Sequence, residues 1–465
     1  MKKQTMRMRA LTLLTSGFIA HILFGVMNSI LVIRALGESG IGVYVLIRPT
    51  LAFATTLTGL GRHKIRPALI VAGFLILLAN PLSHFVLHEP GTYLPILFIA
   101  PLVVLTSLSQ KFEGYLLNLD NTTPAAITSL IYQCIRLIGS LYFINRFRHL
   151  GAAWVISGLM LAYLLAEATS LLCTGIIFVK QKGAGALPLA IRYLKRPSQA
   201  ASPEAPVMVI MSATEFLEPI IVMQLFFGLG LPSEISRSLY GAVTGFTMPI
   251  LLMPLFIAQG LSKATVGALK KEGYANINGL LGECLRLVFS SCGLYLLVVI
   301  LFPTEVMNLY FQTATGAQYL RILAPFMILY FFKQIFLAFL NALGQSQLAV
   351  LPVFLASLLR IALMFLLLPH LRFNIFGLIY ATAAYLLVST TWIFWRLKKL
   401  TRLKISPLGI LQPLLVFSLS LVAGLMLKRS WNPFDIERLN LGMHILLIGL
   451  LYFGINHITK GTDAD

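Results

Sequence analysis

Apolar runs of about 20 residues, each long enough to cross a bilayer as a helix, recur along the chain with short polar intervals between them. They fall at 11–34, 39–60, 67–88, 93–118, 123–144, 151–179, 205–228, 236–261, 280–302, 318–343, 348–369, 373–395, 407–427 and 440–457. This pattern predicts an all-α polytopic membrane protein of about 14 transmembrane helices. The longest polar interval is 181–204 (QKGAGALPLAIRYLKRPSQAASPE), after the sixth run. The expected organisation is therefore a six-helix lobe over 1–180, a cytoplasmic linker over 181–204, a second six-helix lobe over 205–397, and two additional helices with a tail over 398–465.

The two lobes echo each other. Laying 114–139 over 338–363, an offset of 224 residues, puts Leu116 on Leu340, Leu119 on Leu343 and Arg136 on Arg360. An even number of spans per half makes these parallel repeats, and in transporters built that way the substrate site lies between the repeats near mid-membrane.

Composition agrees with the pattern: 58% of residues are apolar, 11% are charged and the mean hydropathy is +0.86. Soluble domains carry about 25% charged residues, so a water-soluble protein is excluded. The net charge of +20 does not point to nucleic acid, because the basic residues are spread over loops. Of the 36, 21 fall in loops on the side of the N-terminus and 7 in loops opposite. The positive-inside rule then sets both termini in the cytoplasm of a multi-pass cell-membrane protein. Lys2, Lys3, Arg7 and Arg9 precede the first run with no small-residue cleavage site after it, so 11–34 is expected to be a retained helix. Cys134, Cys173, Cys284 and Cys292 lie inside apolar spans, where a thiol behaves as a small hydrophobe, and no metal or other cofactor is expected. Phosphate-loop, metalloprotease and nucleophile-elbow motifs are absent, so an enzyme is not expected.

Charges inside a membrane are costly enough to mark function. Arg48, Arg136, Lys333 and Arg360 lie well inside spans, as do the acids Glu167, Glu215 and Glu218. Helical periodicity places Ser129, Gln133, Arg136 and Ser140 on one face of the fifth span. It likewise aligns Tyr44, Arg48, Thr55 and Gly59 in the second, and Tyr163, Glu167, Ser170 and Thr174 in the sixth. Such stripes either line a hydrated cavity or pack helix against helix through hydrogen bonds. Glu215 and Glu218, at i and i+3 beside Pro219, either bind a coupling proton or sodium ion or neutralise cavity arginines.

The stretch 33–61 (IRALGESGIGVYVLIRPTLAFATTLTGLG) resembles the opening of the stage V sporulation protein B family. The likeness continues in FLEPIIV (216–222), YGAVTGFTMPILLMP (240–254), ECLRL (283–287) and LAPFMILY (323–330). Arg34, Arg136, Glu218 and Arg286 match family residues, whereas FEGYLLN (112–118), Tyr132 and VGALK (266–270) depart from its pattern. The family lies in the superfamily of multidrug, oligosaccharide-lipid and polysaccharide exporters and is similar to the lipid II flippase. The resemblance implies a two-lobed flippase for an undecaprenyl-linked peptidoglycan precursor of the spore cortex. Arg48, Arg136 and Arg360 would then hold an anionic pyrophosphate bidentately, with Lys333 adding a point charge. The partners expected are a lipid-linked anionic saccharide, membrane lipids and a coupling proton or sodium ion, with no nucleic acid. Two other functions fit the pattern: a cation-coupled multidrug exporter, and a non-transporting scaffold or regulator that kept the fold.

Overall fold

The computed structural model describes residues 27–60, 65–117, 123–182, 204–262, 277–370, 374–401, 407–430 and 437–461. They form the helices α1 (Met27–Leu60), α2 (Ile65–Pro81), α3 (Tyr93–Leu117), α4 (Thr123–Phe147), α5 (Ala152–Lys182), α6 (Ala205–Gly228), α7 (Ser233–Leu251), α8 (Leu255–Ser262), α9 (Ile277–Leu301), α10 (Pro303–Phe311), α11 (Ala317–Ala342), α12 (Val350–Leu367), α13 (Phe376–Thr401), α14 (Pro407–Ser430) and α15 (Glu437–Gly461). The all-helical membrane architecture expected from the apolar runs is the one found. Among the described residues ten helices are long and apolar enough to cross a membrane, and α7 with α8 makes an eleventh, bent by 53°. The expected spans 13 and 14 are occupied by the helices α14 and α15. Most of span 1, with its leading basic residues, lies outside the described residues, as do most of the 181–204 linker and the VGALK segment.

Irregularities in these helices have local causes. The break between the first two apolar runs is Gly37, whose φ of 62° and ψ of −166° interrupt α1. Only a residue without Cβ reaches that conformation cheaply. The bend between α7 and α8 ends at Pro254, which offers no N–H to the helix ladder. Carbonyls at the bend, each also accepting a backbone N–H, meet side chains of α9: the Tyr295 hydroxyl donates to Ile250 O at 2.8 Å, and the Cys292 thiol faces Pro254 O at 3.9 Å. This is how irregular backbone is tolerated at membrane depth. A π-helical turn, Leu82–Val86, follows α2, and there the Gln224 side chain donates to Phe85 O and Val86 O, both at 3.0 Å.

Packing groups the chain into two units, one of residues 1–246 with 357–378 and one of 247–356 with 379–465. In the first unit α5 packs against α3 and α4, and α1 packs against α6 and α7. The α1–α7 contact depends on small residues. A methyl on Gly42 would sit 2.6 Å from the Arg237 carbonyl oxygen, and one on Gly241 would sit 3.0 Å from Gly42 Cα. A methyl on Gly245, four residues further along, would lie 2.5 Å from Ile41 Cγ1. Small residues at that spacing bring two backbones together in a membrane, where no hydrophobic force between helices is available. Beside the crossing, Arg237 makes an ion pair with Glu89. Gly42→Ala is expected to cost about 1–3 kcal/mol through overpacking, read as a lowered melting temperature. Gly59→Ala, where an added methyl meets nothing within 4 Å, is the control and should not lower it.

In the second unit α9 packs on α11 and α14, and α14 packs on α15. Gly293 lies against the Tyr452 hydroxyl, which donates to Phe289 O at 2.9 Å and ties α15 to α9. Lys428 of α14 donates to Leu301 O at 2.9 Å and to Glu305 at 2.8 Å, where a cation also favours the carbonyl end of the α9 dipole. Burial alone would raise the Glu305 carboxyl, but hydrogen bonds from Lys428 and Thr304 outweigh it and hold it below the usual carboxylate range. Because the folded value is depressed, the stabilisation is present above the unfolded value of about 4.3 and is lost as pH falls through the folded one. Melting temperature should therefore fall more steeply below about pH 4.3 in the wild type than in Glu305→Gln. Equal slopes would show that this ion pair contributes nothing.

Candidate functional site

Three charged clusters lie inside the helical bundles, and the seven sequence-marked residues distribute unevenly among them. The first is built by α1, α4 and α5. Arg136, on the polar stripe of α4, lies over the Tyr163 ring of α5, 5.0 Å from its centroid. Tyr132, one turn earlier on α4, interacts with both Arg136 and Glu167. The Tyr163 hydroxyl lies 3.2 Å from that of Tyr44 on α1, and Asn28 Nδ2 donates to it at 3.5 Å. Arg48, one turn beyond Tyr44, acts electrostatically on it and is itself exposed. Three stripes that periodicity placed on separate helices thus converge on one cluster, and Arg136 makes no ion pair among the described residues. A guanidinium desolvated over an aromatic face is held by the ring quadrupole and keeps its donors for an anion.

The second cluster, on α6, α7 and α12, is built differently. Arg360 Nη2 donates to Glu218 Oε2, and the Tyr240 hydroxyl donates to Glu218 Oε1 at 3.1 Å. All three side chains are buried. Glu215, three residues before Glu218, is exposed. Of the two roles open to Glu218, this geometry supports charge pairing, and it engages Arg360 with a carboxylate instead of leaving it open to a headgroup. Lys333 forms the third cluster, in the second unit. It is 0% exposed on α11, donates to the Tyr385 hydroxyl at 3.0 Å, and lies 4.4 and 5.3 Å from the Tyr385 and Tyr330 ring centroids. A headgroup has no access to it in this conformation.

The residues that sequence reasoning missed are mostly tyrosines: Tyr132, Tyr240, Tyr330 and Tyr385. In an apolar span a tyrosine reads as an ordinary aromatic. Its signal is a charged residue three or four positions away on the same helix, which Tyr132 has in Arg136 and Tyr330 has in Lys333.

No known family profile matches this chain. Stage V sporulation protein B of Bacillus subtilis (strain 168) is 26% identical over 418 residues, covering 81% of this chain and 80% of that protein. The chain is similar to stage V sporulation protein B. The resemblance read from 33–61 and the later segments is thereby borne out over most of the length. Among solved structures, the lipid II flippase MurJ in an inward closed conformation matches with a TM-score of 0.64 at 13% identity, covering 97% of this chain and 99% of that one. A multidrug resistance MATE family transporter of the MOP superfamily, inward-facing, matches at 0.55 and 14% identity over 85% of this chain and all of that one. A MOP superfamily transporter from Pyrococcus furiosus, named for a binding pocket of reversed polarity, matches at 0.52 and 14% identity, with 86% and 96% covered. The chain therefore has the fold of a MOP superfamily transporter, and none of these neighbours is named as an enzyme.

Proposed function

We propose that the protein moves a lipid-linked, pyrophosphate-bearing saccharide across the cytoplasmic membrane, as a peptidoglycan precursor for spore cortex synthesis. The observation that carries this reading is Arg136: a half-buried guanidinium ringed by tyrosines that makes no ion pair among the described residues. A cation excess in a lipid-shielded site is the requirement of an anionic headgroup. A multidrug cation would instead call for acids, and the deep acid Glu218 is already occupied by Arg360. The name of the lipid II flippase MurJ supports the same substrate class, and that of the Bacillus subtilis relative supports a role in sporulation.

In this reading Arg136 and Arg48 receive the headgroup, the prenyl tail stays in lipid, and lobes 1–180 and 205–397 rock about the 181–204 linker, with both termini cytoplasmic. The test is flipping of a fluorescent undecaprenyl-pyrophosphate saccharide in proteoliposomes, with and without a proton or sodium gradient. Transport of that lipid, with no export of a cationic dye, is the expected result. Dye export instead would favour the multidrug reading, and no transport of either would favour a scaffold.

A further inference from the structure

The Arg136 cluster contains more polar atoms than a phosphate can use. Asn28 is 2% exposed, and its Oδ1 is buried with no hydrogen-bond donor among the described residues; Gln133 Oε1 is in the same condition one turn from Arg136 on α4. Arg136 Nε is buried with no acceptor among the described residues. Nearly all buried polar groups in native structures have partners, so such a concentration points to a missing ligand or ordered water. Donor and acceptor inventory narrows the choice. A pyrophosphate carries only acceptors, so it can satisfy the guanidinium but neither amide oxygen. A prenyl chain satisfies none of them. Sugar hydroxyls both donate and accept, and the Tyr44 and Tyr163 side chains beside them offer hydroxyls together with flat apolar faces.

We infer that Asn28, Gln133 and Tyr163 form a saccharide subsite next to Arg136, reading the sugar of the carrier lipid while Arg136 takes its phosphate. This rests on the transport reading above, and the test separates the two. The full chain in lipid nanodiscs is titrated with bare undecaprenyl pyrophosphate and with the same lipid carrying a disaccharide. Wild type should prefer the sugar-bearing lipid by about tenfold, the equivalent of one or two net hydrogen bonds. Gln133→Leu and Asn28→Leu should each erode that preference and leave affinity for the bare lipid unchanged, whereas Arg136→Ala should weaken both. Because Gln133 Oε1 bonds nothing among the described residues, Gln133→Leu should melt at or above the wild-type temperature, whereas Asn28→Leu also gives up the Nδ2 donation to Tyr163.

Equal wild-type affinity for the two lipids would overturn the subsite and leave the transport reading standing. Binding of neither lipid would overturn both. Leucine variants that keep the wild-type preference, or a Gln133→Leu protein that melts well below wild type, would show the amides to be water-filled or structural.

Discussion

Arg360→Ala is expected to destabilise the protein by about 3–5 kcal/mol, because it strands Glu218 as a buried carboxylate with only the Tyr240 hydroxyl left to it among the described residues. The same substitution removes a charge from the membrane interior, which by itself would ease insertion by roughly 2–3 kcal/mol. The stranded partner decides the sign, since losing one member of a buried pair costs more than losing both. The double variant Glu218→Gln with Arg360→Met should therefore recover most of the loss, and thermal melting of the purified protein in detergent reads both. Arg360→Ala melting at the wild-type temperature would show that the ion pair does not hold the fold, and would return Arg360 to the headgroup.

Arg136→Ala is expected to behave in the opposite way: folding and membrane insertion retained, lipid flipping reduced about 10- to 100-fold. The range corresponds to one charge-assisted hydrogen bond of roughly 1.5–3 kcal/mol lost to the headgroup. No ion-pair partner is stranded by its removal, since Arg136 makes no ion pair among the described residues, and its tyrosine neighbours lose a cation–π contact and the Tyr132 hydrogen bond. Arg136→Lys should fall between, because an ammonium restores the charge but not the bidentate fork. A purified Arg136→Ala protein that flips labelled lipid at the wild-type rate would remove Arg136 from the headgroup site. One that fails to fold would make the cluster a packing device.

The contrast between Arg136 and Arg360 shows where sequence reasoning stops. Apolar run lengths determined the all-helical membrane architecture, the gap between the runs 11–34 and 39–60 marked the break in α1, and the 3.6-residue period put Gln133, Arg136 and Ser140 on one face of α4. Each of these is a local property, decided by residues within a few turns of one another. The internal repeat set Arg136 and Arg360 at equivalent positions and so assigned them one role. Only tertiary structure separates them: Arg360 meets Glu218 from 142 residues away, whereas Arg136 meets the rings of α5. Periodicity fixes which way a side chain points from its own helix, but not which helix lies opposite. For a buried charge the identity of that opposite group, carboxylate or tyrosine, is what decides between a structural ion pair and a cation still able to bind an anion.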